Sequence, residues 1–364
     1  QEGKIHLARR SNDLKPESSA QAAMKQASLA ILVALGLIAS GCLAEPEKPL
    51  DPEADADGDG LPNGWEIERG LDPLNGSDGI VCQGEARFCL RAYDNHTFPE
   101  THNSFSTVED EVWMALNHYT ALEAQWEGGI RAYMIDIHHL TKEDTEQKDV
   151  RFCHGDPDST LFHPCIYSEV DAFAWLGQLN SLMNYSSGDV VTILIENYVP
   201  AEHVEYLFES AGMIDKAYVH KVGEAWPTLG DLVLSGKNLV VFWDYSDDER
   251  YPWLHHAWTH SWDTPYGEDE EEEMSCTVGR GSGETEAWHL NNWLNSIFGF
   301  GDPTRSEAVN DYDKLLARAI ECWQIFDDRP TFIAVDFWED GEVVNVTMTL
   351  NEMEHWSDDV PPHP

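Results

Sequence analysis

From residue 92 onward the chain alternates short apolar runs with amphipathic stretches, and few folds accept that pattern. The runs are "IRAYMIDIHHL", "VRFCH", "VVTILIENY", "NLVVFWDY", "AWHLNNWL" and "TFIAVDFW". Their near-continuous branched and aromatic character predicts strands buried on both faces, as in a parallel sheet covered by helices. Helical spacing is expected in "EVWMALNHYTALEAQW", "EVDAFAWLGQLNSLM", "AEHVEYLFESAG" and "SEAVNDYDKLLARAIECW". Thr107 with Asp110, and Ser168 with Asp171, are placed as N-cap pairs. Strand–helix alternation over 92–352 predicts an α/β domain, a (β/α)8 TIM-type barrel, with "AYVHKV" as its fifth strand. A doubly wound open sheet is the alternative, and no G-x-G-x-x-G turn supports a dinucleotide version of it.

What precedes the domain reads as export and tethering. From Met24 the chain runs "MKQASLAILVALGLIASGC": a lysine, an apolar core and small residues before Cys42. That core is too short to span a bilayer and has the length of a signal peptide. Residues 24–41 are read as the signal and 1–23 as upstream sequence. The small residues before Cys42 resemble a bacterial lipobox, although Ala39 stands where leucine is commoner. The expectation is an exported cell-envelope lipoprotein with its lipid on Cys42; cleavage after Ala44 and secretion is the alternative. Residues 42–54, rich in Pro and Glu, read as a tether. Six cysteines remain for pairing, and an exported chain permits disulfides. Nearest-neighbour pairing (82–89, 153–165, 276–322) is expected, although six cysteines allow many connectivities.

The stretch "DADGDGLPNGWE", 55–66, carries oxygen side chains at the first, third, fifth and ninth places (Asp55, Asp57, Asp59, Asn63). Gly60 takes the sixth place and Glu66 the twelfth, the spacing of a calcium loop. Together with "GLDPLNGSDG" it resembles the calcium-rich repeats of bacterial surface proteins and thrombospondin type 3 modules. It is read as a small calcium-binding segment, 55–80, forming a stiffened spacer; Asp72, Asn75 and Asp78 are further candidate ligands. The formal charge of −45 suits cation binding and argues against nucleic acid as a partner.

Polar residues interrupt the predicted strands near their carboxyl ends: His102, Asp136, His154, Glu196, Asp244, Asn292 and Asp336. Strand carboxyl ends of a barrel converge on one mouth, and an ionisable group there is costly unless paired or metal-bound. Two histidines in one mouth suit a base and an acid working near neutral pH. Acidic neighbours are expected to raise the pKa of the acid partner.

"ETHNSFS", "GGIRAYMIDIHHL", "VRFCHG" and "VVTILIENYV" closely resemble successive strands of the phosphatidylinositol-specific phospholipase C X domain, with "PTFIAVDFWEDGEVV" as its closing strand. The resemblance spans about 92 to 352. It implies a phosphodiesterase in which His102 is the general base, His154 the general acid and the product a cyclic phosphate. It further implies a calcium site from Asn103, Asp136 and Glu196, with Met134 standing where signalling members of the family carry an acid. Asp336 is read as orienting His102, and Arg131, at the start of a strand, either as a phosphate contact or as half of a structural ion pair. "GRGSG", 279–283, is a weaker phosphate candidate, and the aromatics of "YPWLHHAWTHSWDTPYG" either cap the barrel or meet lipid. The expected partner is a phospholipid and the expected state a monomer. Two alternatives remain: a calcium-dependent surface-binding protein without turnover, and a glycerophosphodiesterase, disfavoured because "HN" stands where that group has "HR".

Overall fold

The computed structural model describes residues 49–155, 163–166, 168–246, 248–285, 287–296 and 300–364. The expected signal segment, Cys42 and the start of the tether lie outside them. Residues 52–364 form one compact unit. Its strands are β1 Phe98–Thr101, β2 Ala132–His139, β3 Val150–Phe152, β4 Val191–Asn197, β5 Leu239–Trp243, β6 Leu254–His256, β7 Ser261–Asp263, β8 Ala287–Asn292 and β9 Phe332–Val335.

All but β3 run parallel in the order β6-β5-β4-β2-β1-β9-β8-β7, curling into the expected barrel-type sheet. Among the described residues no pairing joins β6 to β7, the two ends of that order; the short helix Ala257–His260 connects them. Alternation sorts the side chains. Phe98, Ala132, Met134, Leu194, Val240, Phe242 and Phe332 face inward in one cluster. Tyr133, Ile135, Ile193, Ile195, Val241 and Ile333 face outward, against Trp175, Leu207, Leu315 and Val346 of the covering helices. Burial on both faces explains the apolar runs, and each large side chain so buried contributes roughly 1.5–3 kcal/mol.

Two expected strands are replaced. "VRFCH" enters as β3, antiparallel to the far end of β2 (Ile137↔Phe152), outside the parallel order. "AYVHKV" forms only an isolated bridge, Ala217↔Leu239. Their places are taken by β6 and β7, drawn from "YPWLHHAWTHSWD". Strands of three residues carry too little periodicity to be seen in a sequence.

Helices match three of the four expected stretches in part or whole: Ala172–Tyr185, capped by Asp171, then Ala201–Ser210 and Tyr312–Phe326, preceded by a separate turn at Ser306–Val309. The fourth begins only at Leu122. Residues 107–121 are instead an irregular loop, with Glu111 and Ala115 at positive φ and Thr107 bonded to Asp110. The three disulfides pair as expected: Cys82–Cys89, Cys153–Cys165 and Cys276–Cys322.

The segment 55–80, read as a spacer, packs onto the domain together with the residues that follow it. Leu61, Phe88, Cys82 and Cys89 join the inward cluster. Gln83 donates to the carbonyl oxygens of Gly188 and Val190 just ahead of β4. Arg69 pairs with Asp231 at 2.9 Å, and Trp65 lies so close to Gly230 that a Cβ there would meet its ring at 2.5 Å. The segment thus closes the amino end of the sheet, leaving the carboxyl end free for chemistry.

Candidate active site

His102 follows β1 and is anchored by its backbone N–H on the Val335 carbonyl, 3.0 Å away. Its Nδ1–H donates to Asp336 Oδ1 at 2.9 Å. Asp336 follows β9, is buried, and also accepts from Asn117 Nδ2 at 2.7 Å. A carboxylate on Nδ1 fixes the tautomer that leaves Nε2 with a lone pair. In the free site the Asn103 amide donates to that lone pair at 3.1 Å. The Trp293 indole lies flat against the other face of the site, on the His102 ring.

His154 follows β3 and reaches the same mouth because β3 pairs with the carboxyl end of β2. The two imidazoles stand 6.2 Å apart, centroid to centroid, at 80°. His154 donates Nδ1–H to the Ala115 carbonyl at 3.0 Å. The loop 107–121 forgoes helix here because its groups serve both histidines: Ala115 oxygen holds His154, and Asn117 braces Asp336. Burial, and then the nearby His102, hold the His154 pKa below its ordinary value. The expected upward shift from acidic neighbours is therefore corrected; desolvation outweighs them.

Asp136 and Glu196 sit directly across from one another on β2 and β4. Asp136 is buried, with one oxygen accepting from the Gly155 N–H. Burial and the facing Glu196 push its pKa well above the carboxylate range. Glu196 accepts from the Tyr198 hydroxyl. Asn103, at φ 49°, leaves its Oδ1 buried and without a partner beside them. Met134 presents a thioether in the same lining. Asp244, after β5, adds a third carboxylate; burial raises its pKa to about 6, against the lowering effect of the Asn197 N–H it accepts from. Sequence reading put Asp244 at a strand end without a role. An orphaned amide oxygen and a clustered set of carboxylates suit a hard cation such as calcium. These acids are more splayed than those of the loop 55–59, the one group of three among the described residues whose ligand atoms all lie within 4.8 Å.

Among the described residues, Arg280 is the one Arg or Lys in the lining formed by His102, Asn103, Asp136, Glu196, Trp293 and their neighbours. It is gripped by Asp263 at 2.5 Å and sandwiched by Trp258 and Tyr266, whose ring centres lie 4.0 and 4.2 Å away. "GRGSG" thus carries a stronger phosphate candidate than Arg131. Arg131 lies at the opposite, amino end of β2, paired with Asp189 at 3.1 Å, bonded to the Trp126 and Ile130 carbonyls, and stacked on Trp126. The candidate phosphate contact is therefore corrected in favour of the structural reading: Arg131 is the last residue before β2, away from the mouth, and its planar fork serves the fold.

The calcium-loop residues come together only in part. Asp55, Asp57 and Asp59 converge, and Glu66 is buried beneath them. Asn63 Oδ1 accepts from the Ala56 N–H at 3.0 Å.

The family model described as PI-PLC X 1 matches residues 88–351. An uncharacterized secreted protein of Arthroderma benhamiae is 25% identical over 301 residues, which cover 75% of this chain and 64% of that relative. A PI-PLC X domain-containing protein of the same organism is 25% identical over 291 residues, covering 75% of this chain and 90% of that one. Among solved structures, a mutant phosphatidylinositol-specific phospholipase C from Staphylococcus aureus superposes with a TM-score of 0.52 at 13% identity, covering 77% of this chain and 97% of that one. The last likeness shows a shared fold.

Proposed function

The chain belongs to the PI-PLC X family, and on that premise we propose that it is an exported phosphodiesterase cleaving a phosphatidylinositol-like phosphodiester. The observation that supports this most is the pair His102 and His154, 6.2 Å apart on one mouth, with Asp336 behind the first. His102 Nε2 takes the proton from a substrate hydroxyl neighbouring the phosphate. The oxygen so exposed attacks phosphorus, a cyclic phosphodiester forms, and the bond to the lipid alkoxide breaks. His154, protonated at Nε2 in the substrate complex, gives its proton to that alkoxide. Acid–base assistance of this kind contributes on the order of 10²–10⁴ in rate.

Asn103, Asp136 and Glu196, with Asp244 beside them, would hold a calcium ion. Such an ion, when bound, offsets negative charge developing on the phosphate. Arg280 binds the same phosphate or the head group from the other side, its guanidinium already fixed by Asp263. A relative named as secreted and three disulfides support export. A lipid on Cys42 fits that route.

The test is turnover of phosphatidylinositol vesicles by purified protein, with the product analysed for cyclic inositol phosphate. His102→Ala and His154→Ala should each remove it, with the circular dichroism spectrum retained. Turnover persisting in either variant, or a product without a cyclic intermediate, overturns the reading.

A further inference from the structure

The segment that closes the amino end of the sheet holds five carboxylate oxygens that nothing in the protein explains. Asp57 Oδ2, Asp59 Oδ2, both oxygens of Glu66 and Asp78 Oδ1 are each buried and without a hydrogen-bond partner. Glu66 is 0% exposed, and the charges that bear on it are those of Asp59, Asp57, Asp78 and Asp55. A buried carboxylate facing other carboxylates with no donor is not a stable arrangement by itself. The remaining oxygens of these aspartates are already committed: Asp55 accepts from Gly58 and Gly60, Asp57 from Asp59, Asp59 from Leu61, and Asp78 from Asp72. Ligand atoms of Asp55, Asp57 and Asp59 lie within 4.8 Å of one another, so the free oxygens belong to one buried acidic cluster.

We propose that this cluster is a calcium site whose ligands include Asp57, Asp59, a bidentate Glu66 and Asp78, drawn together by the ion, and that the ion fastens the closing segment to the barrel. Asp78 comes from outside the twelve-residue loop. The turn that carries it lies on the loop so tightly that a Cβ on Gly79 would meet Asp59 Oδ2 at 1.9 Å. Asn63, at the ninth place, is a tie within the loop through Ala56. Five side-chain oxygens leave room for the water or carbonyl oxygens that complete the six to eight of calcium; magnesium, which keeps several waters, fits such a cage poorly.

The ion acts at a distance from the mouth. Glu66 lies on the helix Asn63–Arg69. From that helix Trp65 packs on Gly230, and Arg69 pairs with Asp231. Asp78 leads within four residues to Cys82, whose disulfide loop is bonded to the residues ahead of β4. An ion joining Glu66 to Asp78 therefore clamps both ends of the segment on the barrel. This inference does not depend on the catalytic reading.

The experiment is thermal unfolding of the whole soluble protein in chelator, in calcium and in magnesium. Wild type should unfold several degrees higher in millimolar calcium than in chelator, with magnesium giving little of that rise. Glu66→Gln and Asp78→Asn should each raise the calcium needed for half the shift by tenfold or more. Glu66→Gln removes a like charge, so without metal it should be at least as stable as wild type, which separates lost binding from failed folding. Glu196→Gln, at the mouth, should keep the part of the calcium response that Glu66→Gln removes. No calcium stabilisation of wild type, an equal response to magnesium, or an unchanged response in Glu66→Gln or Asp78→Asn overturns the proposal.

Discussion

Trp293 lies flat on His102, ring centres 4.1 Å apart and planes within 10° of parallel. With Asp336 on Nδ1 the imidazole is held both in its plane and across it, so Nε2 has one direction in which to act. Trp293 is 5% exposed, so the stack is a buried wall of the site. Trp293→Ala should lower kcat by on the order of 10- to 10²-fold, as expected for a loosened catalytic group. Trp293→Phe should recover most of the loss. Steady-state assays with a folding control decide it, and equal activity in both variants would remove the stack from the mechanism.

Asp336 acts through His102. Asp336→Asn keeps the shape but can turn an N–H toward Nδ1, favouring the wrong tautomer. Turnover should fall by roughly 10²-fold or more, while calcium binding at the distant loop, followed calorimetrically, stays as in wild type. A loss confined to KM would contradict a positioning role.

Met134 lines the mouth with a thioether beside Asp136 and Glu196. Met134→Glu should reduce the calcium needed for half-maximal activity by on the order of tenfold, since charge count tunes such sites. Chelation should abolish turnover in both proteins. Activity of wild type in excess chelator would show that the mouth works without a divalent ion.

His154 is held below its ordinary pKa by burial and by His102. In the free protein its ring should titrate below 6.5, and bound inorganic phosphate, an anion, should raise that midpoint. Side-chain nitrogen NMR reads both. A free-state midpoint at or above 6.5 would mean that the desolvation is offset.

His138 stacks on Tyr198 and its pKa is lowered to about 3, chiefly by burial. Between pH 6.5 and 3 the unfolded chain takes up a proton at this ring that the folded chain does not, so stability falls as pH falls. The slope for one such proton is about 1.4 kcal/mol per pH unit. His138→Phe should therefore lose stability less steeply over that window, by about that slope, with only a small change at pH 7. Urea titrations at pH 7, 6 and 5 test it, and parallel pH profiles for the two proteins would be the contrary result.

Much of the site could be read before any coordinates. Residues 98–104, 132–139, 191–197 and 332–336 alternate inward and outward along the strand, and their ionisable members stand where apolar neighbours make them conspicuous. Burial on a strand is a local, periodic property, so His102, Asp136, Glu196 and Asp336 could be placed from their own neighbours. His154 was found by the same logic although its strand is an antiparallel addition. The irregular loop 107–121 was not, because a helical spacing of apolar residues does not reveal that Ala115 and Asn117 are needed by residues across the mouth.

The sequence alone determined the alternation of buried strand and covering helix, and which ionisable residues stand at the strand ends. Tertiary structure alone decided that Trp293 faces His102, and that Arg280 enters the mouth while Arg131 is spent on Asp189. The physical reason is distance along the chain. Periodicity reports what a residue does every two or four positions, whereas a stack or an ion pair between residues separated by tens or hundreds of positions leaves no repeat to read. Only the closing of the sheet, which fixes who meets whom, settles those contacts.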